Sequence, residues 1–345
     1  MQIDSKDSDA EGLDMHALVF TLWRQKIIIL CMALLGTIIA TTYAFLSEPI
    51  YEAKAFIMPP TQNDIEGLNY GRKKLPSLAV KDVYLVFLKN LQAESLRRDF
   101  FKGTYLPALG KDSDPKGLLY DKLSKNLLIS VVGKDTADRY SIVILDADSS
   151  QAAKWVGQYA ERAQELALQE INKNISSEFN VEARNLNQEI VSLREVGRKD
   201  REDTLVKLNE ALVVAKAIGL EKPPIVSGGS KSSLNIAGKM DDELTYMRGT
   251  KALEAEIENL KSRKSEDPFI DKLRGLETDY NFYKQLSERF QIAKTFRMDG
   301  SVEVSGSPVK PKIPVVISIG LILGLMLGVV IALIRNSLLR EQDNK

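Results

Sequence analysis

Apolar residues gather in two uninterrupted stretches near the ends of the chain and recur periodically between them. Residues 27–45 (IIILCMALLGTIIATTYAF) and 314–334 (PVVISIGLILGLMLGVVIALI) run for 19 and 21 residues without a charge. At ~1.5 Å of rise per residue, either stretch crosses a ~30 Å hydrocarbon core as a helix, with every backbone amide satisfied internally. The first is too long for a cleaved signal core, and its 26-residue leader is acidic near its start. The pattern predicts two transmembrane helices.

Between them the period changes. Tyr51, Ala53, Ala55 and Ile57 alternate with Glu52, Lys54 and Phe56, a strand ended by Pro59 and Pro60. Residues 81–101 place Tyr84, Phe87, Leu88, Leu91 and Leu96 roughly on one helical face. Residues 127–132 and 140–145 read as a strand pair. Residues 46–149 are thus expected to form a small α/β domain close to the membrane, completed by 299–307, where Ser301–Ser305 adds a last strand.

From Ser150 to Ile218 there is no proline, and Gly219 follows as a C-terminal signal. Ala183, Leu186, Ile190 and Leu193 step by three and four, and Leu205, Leu208, Leu212 and Ala215 repeat the steps after a charged stretch. Gly197 within that stretch is the expected weak point. Such a helix is ~100 Å long. Residues 220–238, with Pro223, Pro224, Gly228 and Gly229, read as a reversal. Helical sequence resumes over 239–298, broken at Pro268. Its length of ~90 Å matches the first arm, so 150–298 is expected to form a long antiparallel helical hairpin.

Composition narrows the function. Forty-seven basic residues balance 47 acidic ones, with no basic stripe for nucleic acid. One cysteine, Cys31, and one histidine, His16, exclude a disulfide framework, a Cys or His metal cluster and most His-based catalysis. No catalytic residue, cofactor or metal site is expected. Gly228-Gly229-Ser230-Lys231-Ser232 lacks the spacing of a phosphate loop. Asp146-Ala147-Asp148 has the D-x-D form of a sugar-nucleotide site, but it lies between a strand and a helix, where capping is the simpler role. Glu161, Glu165 and Glu170 read as a solvated face.

Two features near the second span are more specific. Pro308, Pro311 and Pro314 recur every third residue, which fits either a polyproline II strut or a plain stop before the helix. Gly320, Gly324 and Gly328 recur every fourth residue along one helix face, and Gly36, Ala40 and Ala44 are a weaker counterpart in the first span. Small residues at that spacing let transmembrane backbones approach closely. Arg24 and Lys26 before the first span, with Arg335 and Arg340 after the second, predict that 1–26 and 335–345 are cytoplasmic and 46–312 lies outside.

The pattern resembles the Wzz-type chain-length determinants, the polysaccharide co-polymerases. The resemblance lies in Leu22-Trp23-Arg24-Gln25-Lys26 before the first span, in Phe87–Gln92 with Ser95–Phe101, and in Asp299-Gly300 followed by the proline-rich segment 308–313. It implies an α/β membrane-proximal domain plus a long α-helical hairpin, anchored by two transmembrane helices. It implies a non-catalytic regulator of lipopolysaccharide O-antigen length in the bacterial inner membrane, with 46–312 periplasmic. The implied partners are copies of itself in a ring, usually an octamer, a Wzy-type polymerase and the growing lipid-linked polysaccharide. Only 11 residues, without tyrosine, follow the second span, which favours the kinase-free O-antigen class. The alternatives are a co-polymerase for another surface polysaccharide and a periplasmic adaptor of an export system.

Overall fold

The computed structural model describes residues 22–133, 138–224 and 244–343, with side chains through Arg335. His16 and the Gly228–Ser232 segment lie outside the described residues. The chain divides into two compact units. One is drawn from Met1–Ile65, Ala79–Leu168 and Lys294–Lys345, the other from Glu66–Leu78 and Gln169–Ala293.

The first unit holds a small sheet and both apolar helices. Helix α1 (Lys26–Leu46) leads into strand β1 (Tyr51–Met58), whose alternate residues Ala53, Ala55 and Ile57 are buried. Helix α2 (Val80–Leu91) and helix α3 (Glu94–Phe100) follow, then a π-helical turn over Phe101–Tyr105 and helix α4 (Leu118–Asn126). The single helix expected over 81–101 is broken at Gln92 and Ala93, where Ala93 is extended. Leu91 and Leu96 are both fully buried. Five residues apart, they would fall on different faces of one continuous helix, and the break brings both to the same core.

Strands β2 (Leu127–Val131) and β3 (Tyr140–Asp146) form an antiparallel pair, and β3 pairs antiparallel with β1 from Tyr51↔Asp146 to Ile57↔Tyr140. Two-residue strands β4 (Arg297–Met298) and β5 (Glu303–Val304) pair with the other edge of β1. One face of the sheet packs on α2, α3 and the start of helix α5 (Ser149–Ala217). In that core Phe87 stacks on Phe296 at 4.6 Å and Phe100 meets Tyr159 edge-on at 5.2 Å. Tyr159 donates to the Leu91 carbonyl at 3.0 Å, and burial pushes its hydroxyl up to about 12. Truncating a buried ring of this kind costs ~3–5 kcal/mol.

The second unit is built on the rest of α5, one uninterrupted helix of 69 residues. The returning arm is broken at Pro268, as the pattern suggests, but carries less helix than expected. It consists of a 3₁₀ turn (Thr245–Arg248), helix α6 (Thr250–Ser262), a 3₁₀ turn (Asp267–Phe269) and helix α7 (Leu273–Ser287), followed by irregular chain. Pro268 accounts for the middle break. The end of α7 is set from across the hairpin. Ser176 of α5 donates to the Ser287 carbonyl at 2.5 Å, and the Asn172 amide exchanges two hydrogen bonds with the Gln291 backbone. These side chains take the place of intrahelical partners, and the chain leaves the helix.

The arms are antiparallel. Leu208 and Ala215 pack with Leu253, Ile257 and Leu260, and Phe179 packs with Tyr283. Gly197, the expected weak point, does not interrupt α5. It admits the returning chain: a Cβ at Gly197 would lie 3.0 Å from Ile270 Cδ1. Around it Arg194 binds Asp267 (2.9 Å) and Glu277 (2.7 Å), and Arg201 binds Glu266 (3.1 Å). The segment Glu66–Leu78 belongs to this unit. Arg72, buried, reaches Glu178 on α5 at 2.6 Å, and Lys74 reaches Asp279 on α7 at 2.9 Å.

Candidate functional site

The last helix, α8 (Ile313–Asp343), packs along α1. Ile313–Arg335 and Lys26–Leu46 are each long and apolar enough to cross a membrane. Most of their large side chains face outward: Leu30, Ile38, Ile39, Ile322 and Met326 are all more than half exposed. In water such a surface would be prohibitive, whereas in acyl chains it is the ordinary solvent-facing side. The hydroxyls of Thr37, Thr41 and Ser318 each donate to the carbonyl four residues earlier at 2.8 Å, so they need no partner from the bilayer. Lys26 lies over the Trp23 ring at 5.3 Å, a pairing suited to a membrane interface.

Where the two helices touch, the contact is backbone on backbone. A Cβ at Gly36 would stand 2.6 Å from the Gly320 carbonyl oxygen and 3.0 Å from Gly324 Cα. One at Gly320 would collide with Ala40 Cβ, one at Gly324 would lie 2.6 Å from the Met32 carbonyl, and one at Gly328 would lie 2.9 Å from Ile29 Cα. The structure thus brings Gly36, Ala40, Gly320, Gly324 and Gly328 into one contact. Sequence reading missed Ala33 and Ala332, both buried. Ala332 continues the four-residue spacing of the glycines and was within reach of the same pattern.

The prolines do not make one uniform strut. Val309 N–H donates to the Ile50 carbonyl at 2.8 Å, and Ile50 N–H donates to the Lys310 carbonyl at 3.0 Å, an antiparallel bridge. A polyproline II strand carries no such pairing. Pro308 and Pro311 flank this bridge, and Pro314 is the second residue of α8. There its missing N–H is no loss, because the first helical N–H groups have no intrahelical acceptor.

The D-x-D residues have structural partners. The Asp148 carboxylate accepts from Ser150 N–H and Ser150 Oγ at 2.9 Å and from Gln151 N–H at 3.3 Å, so it caps α5. Those hydrogen bonds, that of the Ser150 hydroxyl foremost, hold its carboxyl below the usual aspartate value. Asp146 accepts from Asp148 N–H at 3.1 Å. Among the described residues no group of three or more His, Cys, Asp or Glu side chains is placed to hold a metal ion.

Comparison with known proteins agrees with this architecture. The family model of the chain length determinant protein, Wzz, matches residues 11–103, and GNVR, a G-rich domain named for tyrosine kinases, matches residues 276–337. An ECA polysaccharide chain length modulation protein of Salmonella typhimurium is 22% identical over 266 residues, covering 72% of this chain and 74% of that protein. A chain length determinant protein of Shigella flexneri is 20% identical over 352 residues, covering 97% and 96%. Among solved structures, a full-length bacterial polysaccharide co-polymerase superposes with a TM-score of 0.67 at 19% identity, covering 96% of this chain and 99% of that one. A mutant of the Shigella flexneri lipopolysaccharide O-antigen chain-length regulator superposes at 0.51 and 17% identity, covering 76% and 99%. The chain thus matches the Wzz model over residues 11–103 and has the fold seen in a solved polysaccharide co-polymerase.

Proposed function

We propose that this protein sets the chain length of a bacterial surface polysaccharide without catalysing a bond-forming step itself. It is anchored in the inner membrane by α1 and α8, with both termini cytoplasmic and residues 46–312 periplasmic. It works beside a separate Wzy-type polymerase and the growing lipid-linked chain, and it self-associates into a ring. The observation that carries the reading is the likeness to a full-length co-polymerase, which extends through spans, sheet and hairpin over 96% of the chain. Self-association is supported by Val181, Val191, Val196, Val206 and Val213 on α5, each about half exposed or more. Left in water, that row costs free energy that a neighbouring copy recovers. O-antigen is the first glycan to test. The Salmonella relative, whose name specifies ECA polysaccharide, supports a second.

The test is deletion followed by electrophoresis of both surface polysaccharides. A polymer that is still made, with its clustered lengths replaced by a broad distribution, is the expected result. Loss of all polymer would contradict the non-catalytic reading.

A further inference from the structure

The small residues that let α1 and α8 touch also leave a furrow beside the contact. Its inner part is a cavity of about 530 Å³ lined without any charged residue, with Gly36, Gly320 and Gly324 as floor and Ile39, Ile319 and Leu323 as walls. At the sheet end of the spans lies a second cavity of about 660 Å³, lined by Ala44, Ser47, Pro311, Lys312 and Ile313 among others. The two cavities share no lining residue and follow one another along the helices. On α8 the inner lining steps back from Leu323 through Gly320 and Ile319 to Val316, and three and four residues further lie Ile313 and Lys312, which line the outer cavity. On α1 the lining steps from Gly36 through Ala40 to Tyr43, and four further is Ser47, again in the outer cavity.

Lys312 is the one charged residue lining either cavity. It sits at the mouth, exposed, just before α8. Its carbonyl accepts from Val315 and Val316 N–H at 2.9 and 3.0 Å, so the residue stands at the start of a long helix, the positive end of its dipole. An apolar furrow followed, at the sheet end of the spans, by a cavity with one cation in its lining is complementary to an amphiphile with a hydrocarbon tail and an anionic head.

We infer that the furrow between α1 and α8 is a binding site for an anionic phospholipid, its acyl chain lying over Gly36, Gly320 and Gly324 and its phosphate at Lys312. The inference rests on the two helices spanning a bilayer and is independent of the chain-length reading.

Native mass spectrometry of the full chain, delipidated in detergent and offered equal phosphatidylglycerol and phosphatidylcholine, tests it. Wild type should retain phosphatidylglycerol preferentially. Lys312→Gln should reduce that preference about fivefold and leave phosphatidylcholine retention unchanged, the effect of one cation near a lipid phosphate. Ile319→Trp, which fills the furrow, should lose both lipids, while Leu321→Trp, of equal bulk outside the lining, should behave as wild type. Circular dichroism verifies helix content in each. Should Ile319→Trp misfold, the Lys312→Gln arm still decides. Equal retention of the two lipids by wild type, or an unchanged preference in Lys312→Gln, would overturn the site. So would glycerol phosphate competing as well as the lipid, which would mark a free-phosphate site. Stronger retention of a polyprenyl phosphate than of phosphatidylglycerol would overturn the assigned occupant.

Discussion

In two regions of this protein glycine lets a helix take another stretch of chain close against it, and the two contacts are built on different terms. In the spans, Gly36, Gly320, Gly324 and Gly328 admit a neighbouring backbone. In the middle of the hairpin, Gly197 admits the tip of the Ile270 side chain, and arginine ion pairs flank the contact on both sides. The solvent explains the difference. Apolar side chains gain nothing by leaving acyl tails for one another, so span association depends on dispersion at close range, and any added Cβ forces the backbones apart. In water the hairpin can use charge and a flexible side chain, and a small intrusion is absorbed by rotation of Ile270.

The largest effect should come from Gly324→Leu. The leucine would meet the Met32 carbonyl and Ala33 Cα, neither of which can rotate away. The span stays apolar and should insert normally, as carbonate extraction of membranes would check, while polysaccharide length control is lost. Leu325→Ile, off the contact, should leave both unchanged. Alanine sharpens the comparison. Gly324→Ala should lower the melting temperature in detergent, as overpacking by ~1–3 kcal/mol requires. Gly197→Ala should leave it unchanged or raise it, because alanine gains up to ~1 kcal/mol of helix propensity over glycine. Thermal scans of the two variants in one detergent decide this, and shifts of the same sign would break the comparison.

A smaller effect is expected at Arg194. Arg194→Met leaves Asp267 and Glu277 facing each other without their shared cation, and the melting temperature should fall by less than in Gly324→Ala. Hydrogen bonding from Arg194 holds the Asp267 carboxyl below its ordinary 3.8. A depressed carboxylate contributes its stability above the unfolded value and loses it as pH falls through the folded one. The gap between wild type and Arg194→Met should therefore hold steady from neutral pH to about 4 and close below it, in melts taken across that range. Asp148→Ala should have the least effect: a slight loss of helix content at the start of α5 by circular dichroism, with polymer synthesis intact, since the side chain caps the helix.

Much of this was legible because local pattern carried it. The spans follow from uncharged length, β1 from strict alternation, and α5 from its proline-free run between the Asp148 cap and Gly219. What was not legible depended on residues distant in sequence. The end of α7 is set by Asn172 and Ser176, more than a hundred positions upstream. Gly197 reads as a flaw until Ile270 is seen beside it. The bridge at Ile50 and Lys310 joins the two ends of the segment between the spans, so the proline period alone left a strut and a plain stop open, and only the backbone pairing decides between them. In the spans the four-residue glycine spacing marked the contact, but only the fold chose α1 as its partner.

The central claim, a non-catalytic length regulator whose span contact matters, is tested most directly by complementation. A deletion strain should receive wild type, Gly324→Leu or Leu325→Ile at matched membrane levels, and its surface polysaccharide should be resolved by electrophoresis. The account predicts abundant polymer in all three, with clustered lengths for wild type and Leu325→Ile and a broad distribution for Gly324→Leu. Wild-type clustering in Gly324→Leu, or absence of polymer in the uncomplemented strain, would contradict it.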